Sequence, residues 1–384
     1  MIPQEFIDEL LARTDIVEIV EPRVALKKGG KDYQGLCPFH NEKSPSFTVS
    51  QDKGFYHCFG CQAHGSALHF LQEYERMDFV SAVETLAARI GMEVPRQNDG
   101  IPKEVHRERR TIYEILERAS EFYKDHLRNH PNRALAVDYL KSRGLSGEIA
   151  RDFGLGYAPA EWDSLKIAMS TSNYDRELLI KAGMLIEKTE EDRTYDRFRE
   201  RVMFPIRDLR GKTIAFGGRI IGNGKPKYLN SPETPVFRKG RELYGLYEAR
   251  RRTNRLEQVI VVEGYMDVVA LAQHGINYSV ATLGTATTSD HIERLYRLVS
   301  KVIFCFDGDE AGRKAARRAL ETVLVFLQDG RSAAFLFLPD GEDPDSLVRK
   351  DGKDRFEERL REATSFTDFF YSQLEMGLDM SAPE

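Results

Sequence analysis

A chain of 384 residues, 41 % apolar and 30 % charged, is long enough for two or three domains and has the make-up of a soluble globular protein. No apolar run approaches the ~18–20 residues of a membrane span, and the acidic, amphipathic start "MIPQEFIDELLARTDIVEIV" lacks the basic end and small-residue cleavage site of a signal peptide. The cytoplasm is therefore the expected compartment. The net charge of −5 argues against a nucleic-acid partner only as an average, because Arg197 to Arg255 holds 16 Lys/Arg against five Asp/Glu, a local +11. A charge run alone is usually a solvated face. This one is interleaved with Phe198, Phe204, Phe216, Tyr228 and Phe237, as expected of a groove that tracks phosphates and stacks bases.

In chain order, residues 1–97 read as one unit: an amphipathic start, a Gly- and aromatic-rich middle of short strands, and the helical pattern "SALHFLQEYERMDFVSAVETLAARIGM". Its middle contains Cys37-Pro-Phe-His40 and Cys58-Phe-Gly-Cys61, two C-x₂-C/H knuckles with 17 residues between them. Two such turns close a tetrahedral Cys₃His site, for which Zn²⁺ is the usual occupant, and four protein ligands make that site structural. His57 and His64 are rival ligands. Lys43, Phe47, Lys53, Phe55, Tyr56 and Phe59 make either a stacking platform for a single strand or the small core of the ribbon. Residues 98–110, with Pro, Gly, Asn and charge but no apolar period, read as a linker.

Residues 111–242 begin with helical spacing as far as about Gly147, and "RVMFPIRDLRGKTIAFGGRIIG" alternates and turns at "DLRGK" as a β-hairpin does. From residue 243 to 345 the rhythm is strand then helix: "QVIVVEG", "YSVATLG", "KVIFCFDGD" and "SAAFLFLPDGEDPD" are short apolar strands separated by helices. This predicts a largely parallel sheet covered on both faces. The expected fold class is multidomain, α+β and α/β: a zinc ribbon with helices, a mixed α+β subdomain, a parallel-sheet α/β subdomain, and at 346–384 the start of a helical subdomain.

Three of those strands end in acid: Glu263 after "VIVV", Asp307 and Asp309 after "IFCF", and Asp343 and Asp345 after "FLFLP". Any one is readable as a helix cap or turn residue. Together, at the ends where open α/β sheets form their sites, they need a cation, because several close carboxylates do not all stay ionised without one. Oxygen ligands with no nearby His or Cys suit one or two Mg²⁺ or Mn²⁺ ions rather than Zn²⁺. Cys305, inside the third strand, reads as a small buried hydrophobe.

"VEGYMD" followed by "FDGDEAG" resembles the TOPRIM domain shared by topoisomerases, primases and some nucleases. "CPFHNEKSPSFTV…GFYHCFGCQAHG" resembles the N-terminal zinc ribbon of bacterial replicative DNA primases, and "RFRERVMFPIRD", "IAFGGR", "KYLNSPETPVFRKG" and "LYGL" are similar to that family's RNA-polymerase domain. The motifs stand in family order and cover the chain from Phe6 to about Tyr371. The resemblance implies synthesis of RNA primers for replication on a single-stranded DNA template from NTPs, giving an RNA–DNA hybrid product, in the bacterial cytoplasm at the replication fork. It implies metal binding by Glu263, Asp307 and Asp309 with Asp343, Asp345 and Asp267 contributing, and Glu263 also as general base on the primer 3′-hydroxyl. Arg143, Arg199, Arg201, Arg219, Lys227, Tyr228, Asn230 and Lys239 are implied as the ridge for template and triphosphate. Family members continue into a helical domain that binds the replicative helicase, so the chain reads as a fragment or as a form lacking helicase coupling. The alternatives are a TOPRIM nuclease or topoisomerase, which nicks or relaxes plasmid, and a non-catalytic single-stranded-DNA-binding module, which leaves the acidic strand ends without a purpose.

Overall fold

The computed structural model describes residues 2–75, 77–92, 94, 103–188, 193–253 and 256–375, in two compact units, 1–102 and 103–384. Among these residues no helix is long and apolar enough to cross a membrane.

The first unit opens with α1 (Gln4–Arg13) and α2 (Ile16–Val20). An antiparallel meander follows, β1 (Lys27–Gly29), β2 (Asp32–Gly35), β3 (Phe47–Ser50), β4 (Phe55–Cys58) and β5 (His64–Ser66), and then α3 (Ala67–Tyr74) and α4 (Phe79–Arg89). Side chains of Asp15, Ser66 and Asp78 cap α2, α3 and α4 by accepting backbone N–H groups. Strands of three or four residues bury little on their own. One face of the sheet therefore packs Phe47, Val49, Tyr56 and Cys58 against Leu10, Val17, Phe70 and Leu86 of the helices. Phe47 and Tyr56 are essentially inaccessible, which removes them from any stacking platform; Phe55 and Phe59 are exposed.

The second unit begins with α5 (Lys103–Asn129), which takes in residues 103–110 of the expected linker; residues 98–102 lie outside the described residues. The helix was not legible there because its apolar period starts only at Ile112. After it come α6 (Arg133–Ser142), α7 (Gly147–Asp152), β6 (Gly156–Ala158), α8 (Ser164–Met169), α9 (Asn173–Lys181) and the hairpin β7 (Leu185–Lys188) with β8 (Arg193–Asp196). The expected hairpin is β9 (Arg201–Arg207) and β10 (Thr213–Ile220), joined by β11 (Tyr228–Asn230) into an antiparallel sheet ordered β11-β10-β9-β6. α10 (Leu246–Arg252) leads into the second sheet.

That sheet holds β12 (Gln258–Val262), β13 (Ser279–Ala281), β14 (Lys301–Phe306) and β15 (Ser332–Phe337), connected by α11 (Tyr265–Gln273), α12 (Ser289–Tyr296) and α13 (Glu310–Leu324). α14 (Pro344–Arg361), β16 (Thr364–Ser365) and α15 (Phe366–Glu375) complete it. The order is β13-β12-β14-β15-β16, parallel apart from β16. Alternate strand residues enter opposite cores, as a two-sided sheet requires. Ile260, Val262, Ile303, Cys305 and Leu336 join α11 and α14, whereas Val259, Val261, Phe304, Phe306 and Phe335 join α12, α13 and α15.

The first of these cores also contains Tyr157, Val202, Phe204 and Ile214 of the antiparallel sheet, so residues 111–242 and 243–345 share one interior. Tyr265 stacks on Phe204 across it, with ring centroids 5.5 Å apart. Gly217 makes this possible, since a Cβ there would lie 2.5 Å from the Tyr265 ring.

Candidate functional site

In the first unit the two knuckles bring the ligand atoms of Cys37, His40, Cys58 and Cys61 within 4.8 Å of one another. Cys37 Sγ lies 3.7 Å from Cys61 Sγ, and Cys58 Sγ lies 3.8 Å from His40 Nδ1. Backbone N–H groups of Gly60 and Cys61 donate to Cys58 Sγ at 3.3 and 3.4 Å, the arrangement that stabilises a thiolate. Burial alone would raise the Cys58 pKa, but the Ser46 hydroxyl and these donors outweigh it and bring the thiol down to about 6. Burial pushes Cys37 up to about 12. Three sulfurs and one imidazole converging in this way fit Zn²⁺, and binding it would expel the Cys37 proton.

His57 and His64 are not in the quartet; their rings face each other at 6.0 Å and His57 lies against Phe59 at 4.6 Å. Glu42 was missed from the sequence. Its carboxylate accepts the Cys37 N–H at 2.6 Å, bonds Ser46, and sits 3.3 Å from His40 Nε2. It thus orients two ligands from behind, as outer carboxylates do at zinc sites.

In the second unit, strand order creates the other centre. The chain leaves β12 toward β13 on one side and crosses back to β14 on the other, so β12 and β14 flank the switch point. Glu263 follows β12 and Asp307 follows β14, and neither carboxylate has a hydrogen-bond partner among the described residues. Asp309 caps α13 by accepting the Gly312 N–H at 2.7 Å, and Asp343 caps α14 by accepting the Ser346 N–H at 2.7 Å. Capping therefore does not exclude a further role, since each cap uses one carboxylate oxygen. Gly312 is needed for the tight turn: a Cβ there would lie 2.2 Å from the Asp307 carbonyl oxygen.

The acids feel one another. Burial first, then Asp307 and Asp309, raise Glu263; burial, then Asp343 and Asp309, raise Asp307. Asp267, which accepts the Gly264 N–H at 3.0 Å, is pushed far up by burial and by Asp343, Asp307 and Asp345. Asp345 is 1 % exposed. Its Oδ2 receives Arg143 at 2.9 Å; Arg349 Nε stands 2.9 Å from Oδ1 yet donates to the Asp345 carbonyl, leaving Oδ1 buried without a hydrogen-bond donor. Hard oxygen donors, mutually repelling and partly orphaned, fit a divalent cation. Among the described residues, however, only the Cys/His quartet is gathered closely enough to hold one ion as it stands.

Of the residues expected to form a basic ridge, Arg143, Arg219 and Lys227 gather around Tyr139 and Tyr228. Arg219 is nearly buried, with its guanidinium 5.6 and 5.4 Å from the Tyr139 and Tyr228 rings; Arg143 lies 5.7 Å from Tyr139. Lys227 is exposed 5.9 Å from the Tyr228 ring. Asn230 accepts the Tyr265 hydroxyl and donates to the Leu283 carbonyl at 2.8 Å. The Lys239 backbone is held by Glu233 at 2.9 Å and by His291, whose Nε2 lies 3.0 Å from the Lys239 carbonyl. Burial pushes the Tyr228 phenol up to about 12, with Tyr139 and Asp267 adding to it, so ridge and acids share one neighbourhood.

Arg201 is placed differently: it is 5 % exposed, and its guanidinium serves the Gly218 and Pro226 carbonyls at 3.2 and 3.0 Å. Phe198, Phe204, Phe216 and Phe237 are all buried in the sheet cores, leaving Tyr228 as the exposed aromatic of that interleaved set. The aromatics that do meet cations in the open were missed. Trp162, 50 % exposed, carries Arg199 at 4.0 Å and Arg193 at 4.8 Å over its ring, with Tyr195 at 5.2 Å. Tyr139, also missed, holds a buried hydroxyl with no partner between Arg143 and Arg219.

Three family models match the chain. Residues 2–101 match a CHC2 zinc finger, 122–250 the N-terminal domain of a DNA primase catalytic core, and 257–332 a Toprim domain. A DNA primase of Pseudomonas putida is 59 % identical over 383 residues, covering 99 % of this chain and 58 % of that protein. The chain spans 58 % of the length of the Pseudomonas relatives and 66 % of that of the Escherichia coli DNA primase. Among solved structures, a DnaG primase catalytic domain bound to single-stranded DNA is 52 % identical with a TM-score of 0.70, covering 72 % of this chain and 89 % of that one. The zinc-binding and RNA polymerase domains of the Aquifex aeolicus primase are 36 % identical with a TM-score of 0.61, covering 94 % and 86 %. With zinc ribbon, primase core and Toprim sheet in this order, and identity at this level across them, the chain belongs to the DnaG-type DNA primase family.

Proposed function

We propose that the chain is a DNA-templated RNA polymerase that makes short RNA primers on single-stranded DNA from nucleoside triphosphates. The observation that carries this reading is the pair Glu263 and Asp307, without hydrogen-bond partners among the described residues at the switch point of a Toprim sheet, joined through Asp345 and Asp267 to the Arg143–Tyr139–Arg219–Tyr228 cluster. Glu263, Asp307 and Asp309, bordered by Asp343, Asp345 and Asp267, would hold magnesium or manganese, which would supply charge neutralisation and polarisation of the phosphoryl oxygens.

The residues of the chain do the rest. Arg143, Arg219 and Lys227 take the triphosphate oxygens, and Asn230 and Tyr228 border the same pocket. Arg199 on Trp162 tracks the template, as aromatic–cation platforms do on single strands. The primer 3′-oxygen bonds to the α-phosphorus while the bond to pyrophosphate breaks, and the hydroxyl proton passes to Glu263 as general base. Phosphoryl transfer of this kind needs positioning and charge neutralisation more than covalent participation by the protein.

The test is incorporation of labelled ribonucleotides on single-stranded templates with Mg²⁺ or Mn²⁺. The expected result is template-dependent synthesis that Asp309→Asn reduces by at least ~10³-fold, while circular dichroism and oligonucleotide affinity stay near those of the parent. Near-normal turnover by that variant overturns the metal assignment, and nicking or relaxation of plasmid without synthesis overturns the polymerase reading.

A further inference from the structure

Helices α5, α6 and α7 enclose a cavity of about 280 Å³ that the proposed polymerase site does not use. Leucines 127, 140, 145 and 155 supply much of an apolar wall, and Lys124, Arg128, Arg133, Lys141 and Arg151 stand around it. No aspartate or glutamate lines it. Two of the five cations are already paired, Lys124 with Glu121 and Arg151 with Asp152. Arg128, Arg133 and Lys141 have no acidic partner among the described residues. A solvated basic surface has no reason to enclose an apolar concavity, and an apolar core pocket has no reason to gather cations at its mouth. The combination matches a small-molecule site, where apolar walls hold the body of a ligand and a few polar groups fix its end.

We propose that this cavity binds a small amphipathic anion, an apolar chain or ring system bearing a carboxylate, sulfonate or phosphate. The pocket is half-enclosed between three helices and not an open groove, which favours a small molecule over an extended acidic peptide. Its occupancy is linked to the Toprim site through the turn that closes α6. Leu140, Lys141 and Leu145 line the cavity, and Arg143, two residues along, donates to Asp345 at 2.9 Å. The turn is tightly held, Gly144 N–H to the Lys141 carbonyl at 2.8 Å and Leu145 N–H to the Leu140 carbonyl at 3.1 Å. Ser146 N–H bonds Gln273 of α11 at 2.8 Å. A ligand against Leu145 therefore bears on the segment that carries Arg143. This second step, unlike the first, rests on the proposed function.

Titration of the whole chain with dodecanoate, followed by calorimetry without DNA, nucleotide or divalent metal, tests the site independently of activity. Saturable binding of one dodecanoate per chain is expected, weakened ~10-fold or more by the doubly exposed substitution Arg133→Glu/Lys141→Glu and unchanged by Lys314→Glu on α13. Absence of saturable binding, or binding indifferent to the rim substitutions, overturns the proposal. So does an acidic, Phe-containing peptide that binds through the same rim while dodecanoate does not. In the primer assay, dodecanoate is expected to change the KM for NTP with the midpoint seen by calorimetry, and the rim variant is expected to lose that response. Binding without any such change retains the site and removes the link to Arg143.

Discussion

Trp162 is the sole tryptophan of the chain and lies under two guanidinium groups on an exposed face. Its emission is therefore a direct report on whether Arg199 and its ring meet the template. Oligo(dT) is expected to quench it saturably at low salt, with the midpoint weakening as salt rises, because counterion release drives such binding; emission unmoved at saturating oligonucleotide would place the template elsewhere. The same site shows what a sequence reveals about single residues. The Cys/His quartet and the acidic strand ends were legible because ligand chemistry is tied to spacing over a few positions. The phenylalanines of the basic stretch were misread because core-facing and base-stacking aromatics have the same composition, and only burial separates them. Nor does the sequence show that the Arg201 guanidinium is taken by the Gly218 and Pro226 carbonyls. Trp162 and Tyr139 were invisible because Arg193 and Arg199 reach the first, and Arg219 the second, from other segments.

At the scale of elements, the four parallel strands and their helices were readable from near-continuous apolar runs bounded by helical periods. The short β6, β7, β8 and β11 were not, since three or four residues carry too little periodicity to declare themselves. Strand order was likewise hidden, although it is strand order that puts Glu263 beside Asp307. In the zinc ribbon, β3 and β4 run from the first knuckle to the second, so a zinc bound by Cys37, His40, Cys58 and Cys61 would tie both ends of this hairpin. Chelation by a tight zinc chelator is expected to abolish amide-exchange protection from about residue 35 to 65, because structural zinc contributes folding free energy outright. Protection that survives full zinc removal would show that the Phe47–Tyr56–Phe70 core suffices by itself.

For the whole molecule, the acids of the Toprim site contribute to how stability varies with pH. Folded-state pKa values of Glu263, Asp307 and Asp267 lie above their ordinary values of 4.5, 3.8 and 3.8. Their contribution is thus favourable below the ordinary carboxylate range and is lost as pH rises through the raised values. A divalent cation reverses this penalty and competes with the protons. The gain in Tm from Mn²⁺ is therefore expected to be larger at pH 8 than at pH 5.5, read by calorimetry of metal-free and metal-loaded protein. An equal gain at both would mean that the ion binds away from these acids. The measurement that bears most directly on the central claim is anomalous diffraction from crystals soaked in manganese. The account predicts an anomalous peak beside Glu263, Asp307 and Asp309; fully soaked crystals with no peak there, or with manganese bound only elsewhere, would contradict it.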